Sequence, residues 1–458
     1  MGEQTFDTIV MGAGPAGEVA AGRLAERGQR VALVEQELVG GECSYYACMP
    51  SKALLRPAEL LDEVPRVPGA AEAVTGTLDV AAALRRRDEV IHDLDDSAQL
   101  PWLEHRDIAL VRGRGRLDGA RRVQMDDGEV LMAEKAVIVA TGSGPVMPPI
   151  PGLAEAAAWT NREATTAKQA PESMVILGGG AVGVEMAQAW SSFGTSVTLV
   201  EAMPMLLSRE EAFAGAQVGL ALRERGVNVR VGARAVSVLR GEEGVSVDLE
   251  DGARVTGQEL LVAIGRRPHS EDIGLETVGL EPGAPIEVDD HLRVPGREWL
   301  YAIGDVNGRV LLTHMGKYQA RIAADVIMGR DVRVLAKSDG ELSPRVIFTD
   351  PQVAAVGLTE RSAMEQGLKV RCVDVSTEST AGASFWGRGA GGTSRLVVDE
   401  RRRVIVGATF SGPEVGEWVY AATVAIVAEV PLERLWHAVP CFPTRSEVWL
   451  KLLEGYGL

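Results

Sequence analysis

Apolar positions along the chain form short strand-like runs that alternate with longer helical stretches. The run at residues 6–11 leads into a glycine-rich turn, a helical stretch and a second apolar run that ends in Glu35. The same order of strand, turn, helix and strand recurs at residues 174–201. Two copies of this unit predict two α/β domains with parallel sheets. The length of 458 residues predicts about three domains in total.

Each copy carries three glycines in its turn and an acidic residue 23 positions after the first glycine. The glycines are Gly12, Gly14 and Gly17 in the first copy and Gly178, Gly180 and Gly183 in the second, with Glu35 and Glu201 as the acids. In a dinucleotide site the first glycine makes the tight turn, the second lets the pyrophosphate approach, and the third lets helix and strand pack closely. One such triplet also fits an ordinary strand-to-helix turn. Two complete copies favour two dinucleotide sites, with each acid on ribose hydroxyls.

The remaining pattern predicts inserts and a further domain. Short alternating strands in residues 108–139 and 227–264 predict antiparallel inserts on the two binding units. Residues 299–321 predict a strand, the Gly304 and Asp305 pair, and a helix that return to the first unit. From about residue 342, strands at 345–348, 395–399 and 404–410 interleave with helices at 414–427 and 432–438, which predicts a separate α+β domain. We expect domain segments at 1–150, 151–270, 271–337 and 338–458, the third belonging with the first.

Charge and composition exclude several classes of partner. The chain has 64 acidic and 47 basic residues and a net charge of -17, which repels nucleic acids and anionic membrane surfaces. No run of 18 apolar residues occurs, and the nearest, residues 419–428, is too short to span a bilayer. The N-terminus shows neither a signal peptide nor a transit peptide. We therefore expect a cytoplasmic enzyme with no nucleic-acid or membrane partner.

Two of the four cysteines, Cys43 and Cys48, lie five positions apart in the run GGECSYYACMPSK at residues 40–52. At a helix N-terminus such a pair can close a disulfide and has a lowered thiolate pKa. The alternatives are two buried structural cysteines or half of a zinc site, and no nearby Cys or His pair supplies the remaining zinc ligands. The spacing favours a redox-active pair and no metal.

Together these features resemble the pyridine nucleotide-disulfide oxidoreductases, the family of dihydrolipoamide dehydrogenase, glutathione reductase, mycothione reductase and mercuric reductase. The resemblance covers essentially the whole chain. Besides the cysteine run and both glycine turns, it rests on residues 140–143 (ATGS), 265–268 (GRRP), 302–305 (AIGD), 348–351 (FTDP) and 356–358 (VGL). It implies two Rossmann-like domains, for FAD and NAD(P), with antiparallel meander inserts, and a C-terminal α+β dimerisation domain of a homodimer.

The resemblance implies a set of cofactor-binding residues, with Asp305 holding the ribityl chain of FAD. For FAD these are Gly12, Gly14, Pro15, Ala16, Gly17, Glu35, Gly41, Glu42, Lys52, Gly115, Ala140, Thr141, Gly142, Asp305 and Thr313. For the nicotinamide dinucleotide they are Gly178, Gly180, Val182, Gly183, Glu201 and Gly265. A carboxylate at Glu201 repels a 2'-phosphate, and no basic residue follows before Arg209, which favours NADH over NADPH.

The resemblance also implies roles in catalysis. Electrons would pass from NADH through FAD to the disulfide, with Cys48 facing the flavin and Cys43 attacking the substrate. Glu185 would lie near the flavin, paired with Lys52. The alternatives for these two residues are a solvated helix lysine and an exposed helix acid.

The chain departs from the family near its C-terminus. There the family supplies, across the dimer interface, a His-Pro dipeptide followed by Glu, whose imidazole protonates the leaving thiolate. Here the proline and Glu447 are in place, but Phe442 stands at the histidine position. A phenyl ring cannot transfer a proton, and a positioned acid or base contributes about 10² to 10⁴ in rate.

Three kinds of side chain could replace the imidazole, and each has a simpler interpretation. Tyr45 and Tyr46 are typical of aromatics that shape a pocket. His437 is typical of a histidine at a helix end, and Cys441, in an apolar run, is typical of a small buried residue. The first hypothesis is thus a disulfide reductase with a small-molecule acceptor. The second is a diaphorase that reduces quinones, dyes or metal ions. A third hypothesis, a redox sensor, is disfavoured because a sensor does not need a full nicotinamide site. Mercury reduction is disfavoured because the C-terminal cysteine pair of the mercuric reductases is absent from this sequence.

Overall fold

The protein, described by a computed structural model over residues 3–458, consists of two compact units. The first contains the chain up to Pro50 together with Asp88–Pro145 and Arg266–Gly340. The second contains Ser51–Arg87, Val146–Gly265 and Glu341–Leu458. The predicted α/β class with a C-terminal α+β region is confirmed.

The first unit is built on an eight-stranded sheet with a parallel centre. Its main strand order is Arg293–Val294, Arg297–Ala302, Val130–Val139, Glu3–Met11, Val31–Glu35 and Ile108–Arg112. Strand Arg122–Met125 extends it by antiparallel pairing with Val130–Val139, and Gly115–Leu117 pairs antiparallel with Arg122–Met125. The central strands are almost continuously apolar, as expected for parallel strands covered on both faces.

Two long helices of the first unit pack side by side on one face of this sheet. They are Pro15–Ala25 and Thr313–Ile327, and they share a core of alanines that includes Ala20, Ala21 and Ala320. The predicted return of residues 299–321 to the first unit is confirmed, because Arg297–Ala302 pairs in parallel with Val130–Val139.

The prediction of an antiparallel insert over residues 108–139 was wrong at its start. Strand Ile108–Arg112 pairs in parallel with Val31–Glu35, so it belongs to the main sheet. The connection between these two strands, residues 36–107, contains several helices, and a long crossover of this kind allows parallel pairing. The prediction was also wrong at its end, because Val130–Val139 is a central strand that pairs in parallel with Glu3–Met11 and Arg297–Ala302. Only Gly115–Leu117 and Arg122–Met125 form the antiparallel insert, which continues from Val130–Val139.

The second unit contains three sheets. A parallel sheet has the order Asn228–Val231, Ser196–Glu201, Ser173–Leu177 and Glu259–Val262. An antiparallel insert consists of Ala235–Gly241, Gly244–Leu249 and Arg254–Gly257. The C-terminal antiparallel sheet has the order Arg345–Ile347, Gln352–Gly357, Val404–Gly412, Thr393–Asp399 and Val370–Ser376.

Helices complete the architecture. In the second unit the longer ones are Ala181–Ser192, Ala212–Glu224, Val419–Val427 and Val448–Tyr456. Shorter helices are Gly41–Tyr45, Asn161–Thr166 and Glu360–Glu365, and the unit boundaries fall inside Cys48–Glu63 and Val80–Val90. The predicted helix at 432–438 is confined to Leu432–Leu435, since a residue that precedes proline, here Val439, disfavours helical backbone. Among the helices described for residues 3–458, none has the length and apolar character needed to cross a bilayer.

Candidate active site

The two glycine turns have matching backbone geometry. Gly12 and Gly178 have φ angles of +105° and +108°, which side chains rarely adopt. A Cβ at Gly17 would overlap the carbonyl oxygen of Gly12, and a Cβ at Gly183 would overlap that of Gly178 in the same way. These positions therefore require glycine so that each helix can pack on its own strand.

The middle glycines serve another purpose. Gly14 and Gly180 have ordinary φ angles, and a Cβ at either would meet no atom of the protein within 4 Å. Each is the N-cap of its helix, Pro15–Ala25 or Ala181–Ser192, without a side-chain cap. The amides of each first turn can therefore bind an anionic ligand, and the helix dipole favours its negative charge. Both turns fit the pyrophosphate of a dinucleotide.

The two acids close their own turns by hydrogen bonds. The Glu35 carboxylate accepts the Ala13 N–H at 2.7 Å, and the Glu201 carboxylate accepts the Gly179 N–H at 2.5 Å. Burial raises the pKa of Glu35, while the bonds from Glu37 and Ala13 oppose that shift. In both units the acid lies beside the glycine turn, as the fingerprint predicts.

Asp305 is the centre of a partly buried polar cluster in the first unit. Its carboxylate accepts a hydrogen bond from Ser143 Oγ at 2.6 Å, and Arg266 Nε donates to the same Ser143 oxygen at 2.8 Å. Arg266 also approaches Glu42 at 3.7 Å. Burial raises the pKa of Asp305, and Ser143 and Arg266 lower it. The cluster positions Asp305, and its hydroxyl-bonded carboxylate suits a polyol such as the ribityl chain.

Ser143 and Arg266 were missed as site residues by the sequence analysis. Strands Ser143–Pro145 and Arg266–Pro268 pair to form a separate two-stranded sheet. Both strands lie in segments that carried the family resemblance, which is the signal that could have identified them. Beside them the Thr141 hydroxyl donates to the carbonyl of His269 at 2.7 Å, and the His269 N–H donates to Gly142.

Four further residues expected to bind a cofactor are Ala140, Val182, Gly115 and Gly265. Ala140 is buried at the end of strand Val130–Val139, and Val182 is exposed on the first turn of helix Ala181–Ser192. A Cβ at Gly115 would lie 3.0 Å from the side chains of both Val34 and Val123, so this glycine fills a tight place in the sheet. Gly265 accepts the Val146 N–H through its carbonyl.

Cys43 and Cys48 lie close together as free thiols. Cys43 is on helix Gly41–Tyr45, and Cys48 is the first residue of the next helix. The Cys48 sulfur lies 3.4 Å from the Thr313 hydroxyl oxygen. A hydrogen bond with Cys48 raises the pKa of Cys43, and burial raises it further, while the Thr313 hydroxyl and the charge of Lys317 oppose that shift. For Cys43 the prediction of a lowered thiolate pKa was therefore wrong. A Cβ at Gly41 would lie 2.7 Å from Gly14 Cα, so glycine here lets the cysteine helix approach the first glycine turn.

Lys52 and Glu185 meet in the second unit. Lys52 Nζ lies 2.8 Å from Glu185 Oε2, and the backbone N–H of Phe348 donates to Glu185 Oε1 at 2.9 Å. Glu185 is only 5% exposed, so both of its oxygens rely on these partners. The expected pairing of Lys52 with Glu185 is present.

Phe442, at the expected histidine position, and most residues around it lie at the surface of the chain. Phe442 is 76% exposed. Glu447 has one buried carboxylate oxygen that lacks a hydrogen-bond partner within residues 3–458. His437 is exposed beyond helix Leu432–Leu435. The prediction that Cys441 is buried was wrong, because Cys441 lies in an exposed loop after Pro440.

Tyr45 is poorly suited to replace the missing imidazole as an acid. Its side chain is 1% exposed, and burial, followed by the charges of Asp96 and Glu18, raises its pKa to about 12. A Cβ at Gly40 would press on the Tyr45 ring, which shows that the ring packs against the cysteine loop. Across residues 3–458, no three His, Cys, Asp or Glu side chains are grouped so that they could hold a metal ion.

Comparisons with known proteins agree with this site. The family described as Pyridine nucleotide-disulphide oxidoreductase matches residues 6–320, and its dimerisation domain matches residues 343–453, which supports a homodimer. Dihydrolipoyl dehydrogenase from Chlorobaculum tepidum is 35% identical over 454 residues, covering 96% of this chain and 95% of the relative. Dihydrolipoyl dehydrogenase 3 from Pseudomonas aeruginosa is 31% identical over 462 residues, covering 97% and 96%.

A solved structure has the same overall fold. The HOCl-induced flavoprotein disulfide reductase RclA from Escherichia coli, solved as a Cu(II) complex, superposes with a TM-score of 0.86 at 26% identity, covering 98% of this chain and 99% of that chain. The resemblance inferred from sequence is thus confirmed. The chain belongs to the class I pyridine nucleotide-disulfide oxidoreductases and is a flavin-dependent, NAD(P)H-using oxidoreductase with the redox-active pair Cys43 and Cys48.

Proposed function

We propose that this enzyme is an NADH-dependent disulfide reductase in which Cys43 attacks the oxidised substrate. The observation that carries this proposal is the thiol pair Cys43 and Cys48 on two successive helices, with the Thr313 hydroxyl 3.4 Å from the Cys48 sulfur. A hydroxyl at that distance can donate to a thiolate and stabilise it. We assign Cys48 as the thiol that faces the flavin, and Cys43 as the thiol that exchanges with substrate.

The first unit holds FAD, with the amides after Gly14 on its pyrophosphate and Asp305, fixed by Ser143, on its ribityl chain. When bound, FAD supplies the two-electron chemistry that links nicotinamide to the cysteine pair. The second unit holds the nicotinamide dinucleotide on the amides after Gly180. The remaining expected site residues keep the roles that the family implies, including Lys52 paired with Glu185.

The exchange step itself needs only the protein's sulfur atoms and two protons. The Cys43 thiolate attacks one sulfur of the substrate disulfide, so that a mixed disulfide forms and the first substrate thiolate leaves. The Cys48 thiolate then attacks the Cys43 sulfur, which re-forms the internal disulfide and releases the second thiolate. Each departing thiolate takes up one proton, and Phe442 cannot supply it.

We infer NADH as the preferred reductant because the Glu201 carboxylate lies at the end of the strand beside the second glycine turn. It accepts the Gly179 N–H, and a carboxylate at this place repels a 2'-phosphate. Glu201→Ala should lower the preference for NADH over NADPH, measured as the ratio of kcat/KM values, while Glu224→Ala, at an exposed acid of the same unit, should leave it unchanged. An unchanged ratio in Glu201→Ala would contradict this assignment. We further propose a cytoplasmic location, where a reducing environment suits a dithiol enzyme.

A second candidate function is the reduction of quinones, dyes or metal ions, for which no leaving thiolate has to be protonated. Phe442 is the feature that favours it. The Escherichia coli relative solved as a Cu(II) complex favours including a metal ion among the acceptors to be tested.

Steady-state oxidation of NADH against lipoamide, glutathione disulfide, mycothiol disulfide, a quinone and Cu(II) separates the two functions. If the enzyme is a disulfide reductase, at least one disulfide turns over and Cys43→Ser and Cys48→Ser each abolish that turnover. Cys372→Ser, at a cysteine outside the pair, is the matched control. Quinone or Cu(II) turnover that persists in Cys48→Ser, with no disulfide turned over by the unmodified enzyme, would replace the first function by the second.

A further inference from the structure

We propose that Lys317 stabilises the thiolate of Cys43 through its ammonium charge and so takes over the electrostatic part of the role that Phe442 cannot perform. The inference rests on the proposed function, in which Cys43 is the attacking thiol. It assigns charge stabilisation alone to Lys317, and the protons taken up by the substrate thiolates come from water.

The helix geometry directs Lys317 toward the cysteine pair. Lys317 follows Thr313 by four positions on helix Thr313–Ile327, so the two side chains lie on one face, with Cβ atoms about 5–6 Å apart. Thr313 is the residue whose hydroxyl lies 3.4 Å from the Cys48 sulfur. The face of this helix that carries Lys317 is therefore the face that meets the dithiol.

A neighbouring helix places one carboxylate beside the same lysine. Helix Pro15–Ala25 runs alongside Thr313–Ile327 in the same direction. At one end a Cβ at Gly316 would lie 3.2 Å from Ala16 Cβ, and at the other Arg23 forms a salt bridge with Asp325 at 2.8 Å. These two contacts set the register of the helix pair.

In that register Glu18 lies level with Lys317. Burial raises the pKa of Glu18 to about 7, the charge of Lys317 opposes that shift, and the charge of Glu35 adds to it. The same ammonium lowers the pKa of Cys43 against the raising effects of the Cys48 hydrogen bond and burial. Lys317 therefore acts on both groups across a short distance.

The charge of Lys317 can act on nearby groups because no direct ion pair neutralises it within residues 3–458. Lys317 is exposed, and over the part of the chain that the structure describes it has no ion pair within contact distance. Its charge and the Thr313 hydroxyl both lower the pKa of the Cys43 thiol. A flexible ammonium at this place can follow the negative charge as it moves between Cys43 and a departing substrate thiolate.

The test is the pH dependence of thiol alkylation in the FAD-bound enzyme. Enzyme reduced with dithiothreitol, and then freed of it under anaerobic conditions, is treated with iodoacetamide from pH 5 to 10. The modified cysteine is identified by fragmentation of the peptide that carries both Cys43 and Cys48. Because only the thiolate reacts, the midpoint reports the pKa of Cys43. We expect Lys317→Met to raise that midpoint by about half a unit to one unit, which slows alkylation about 3- to 10-fold at pH 7.

Three further variants distinguish charge from structure. Lys317→Arg should keep the wild-type midpoint, and Lys135→Met, at a lysine that pairs with Asp7 elsewhere in the first unit, should also keep it. Glu18→Gln should lower the midpoint, because it removes the negative charge that competes for the ammonium. A wild-type midpoint in Lys317→Met, or a raised midpoint in Lys317→Arg, would overturn the proposal.

A second alkylation experiment tests the proposed function independently of the role of Lys317. The same alkylation is repeated after reduction by NADH in place of dithiothreitol. If dithiothreitol exposes Cys43 and NADH does not, electrons from NADH do not reach the pair and the proposed function fails. The midpoints measured after chemical reduction still decide the role of Lys317 in that case.

Discussion

Lys52 and Glu185 form an ion pair at 2.8 Å in which the carboxylate is buried and the ammonium retains about a third of its surface. The second oxygen of Glu185 accepts the N–H of Phe348, and the ammonium lies 4.6 Å from the centre of the Phe348 ring. One buried carboxylate therefore joins three segments of the second unit, and each segment loses a partner if it is removed.

Glu185→Ala should destabilise the enzyme by about 2–3 kcal/mol, because it leaves a buried N–H without an acceptor and an ammonium without its counter-ion. The effect stays below that of a fully buried pair because Lys52 is partly exposed. Thermal unfolding measures it. Glu454→Ala breaks an exposed pair with Lys451 in the same unit and should cost less than about 0.5 kcal/mol. Equal losses in the two variants would mean that burial of Glu185 adds nothing.

Gly14→Ala and Gly180→Ala should fold normally and lose different ligands. The added methyl group meets no protein atom within 4 Å at either position, and both backbones suit alanine. It stands where a pyrophosphate approaches the turn. We expect Gly14→Ala to purify with little FAD, measured by the flavin absorbance per protein, and Gly180→Ala to keep its FAD but raise the KM for NADH about tenfold or more.

Gly17→Ala is the control for these two substitutions. Its Cβ would overlap the carbonyl oxygen of Gly12, so this variant should be destabilised or insoluble. A Gly14→Ala enzyme that retains its full FAD content would show that the first turn does not contact the pyrophosphate.

The sequence predicted the two glycine turns well because each turn is local. Gly12 is required by its positive φ angle, and Gly17 is required because its Cβ would overlap the carbonyl oxygen of Gly12 five positions earlier, so residue type and spacing carry the information. The acid that closes each turn follows from the same strand-turn-helix-strand unit. The cysteine pair is recognisable for the same reason, since five positions separate its two members.

Features that join distant segments could not be predicted in this way. Ser143 and Arg266 lie 123 positions apart, and their contact depends on a two-stranded sheet that no local pattern indicates. The parallel pairing of Ile108–Arg112 is decided by the neighbouring strand, whereas its short apolar pattern fits either direction. Glu18 and Lys317 become neighbours only because two helices pack in a particular register.

The raised pKa of Glu18 should make the stability of the folded enzyme depend on pH. Its pKa in the folded enzyme is raised to about 7, chiefly by burial, with Lys317 and Glu35 as the charges that act on it and Tyr45 nearby. The folded state therefore holds this proton more tightly than the unfolded state, and stability falls as the pH rises from about 4.5 to 7.

Glu18→Gln removes that loss, so the variant should exceed the wild type in stability at pH 8, by up to about 3 kcal/mol, and match it more closely at pH 5. Thermal midpoints at the two pH values measure the difference. Glu26→Gln, at an acid of the same helix region that pairs with Arg106 at the surface, should show no such pH-dependent gain. A wild type that is the more stable of the two at pH 8 would contradict the raised pKa.

Phe442→His should increase turnover with a disulfide substrate and leave turnover with a quinone unchanged. An imidazole supplies the proton that each departing thiolate needs, and Glu447, whose buried oxygen lacks a partner within residues 3–458, offers an acceptor that can orient it. The gain should be about tenfold or more, with a new dependence on a group of pKa near 6.5 in the pH profile. Val439→His, in the same exposed segment, should give neither effect. If Phe442→His leaves disulfide turnover unchanged, proton supply does not limit this enzyme, and the stabilisation of the Cys43 thiolate by Lys317 suffices for exchange.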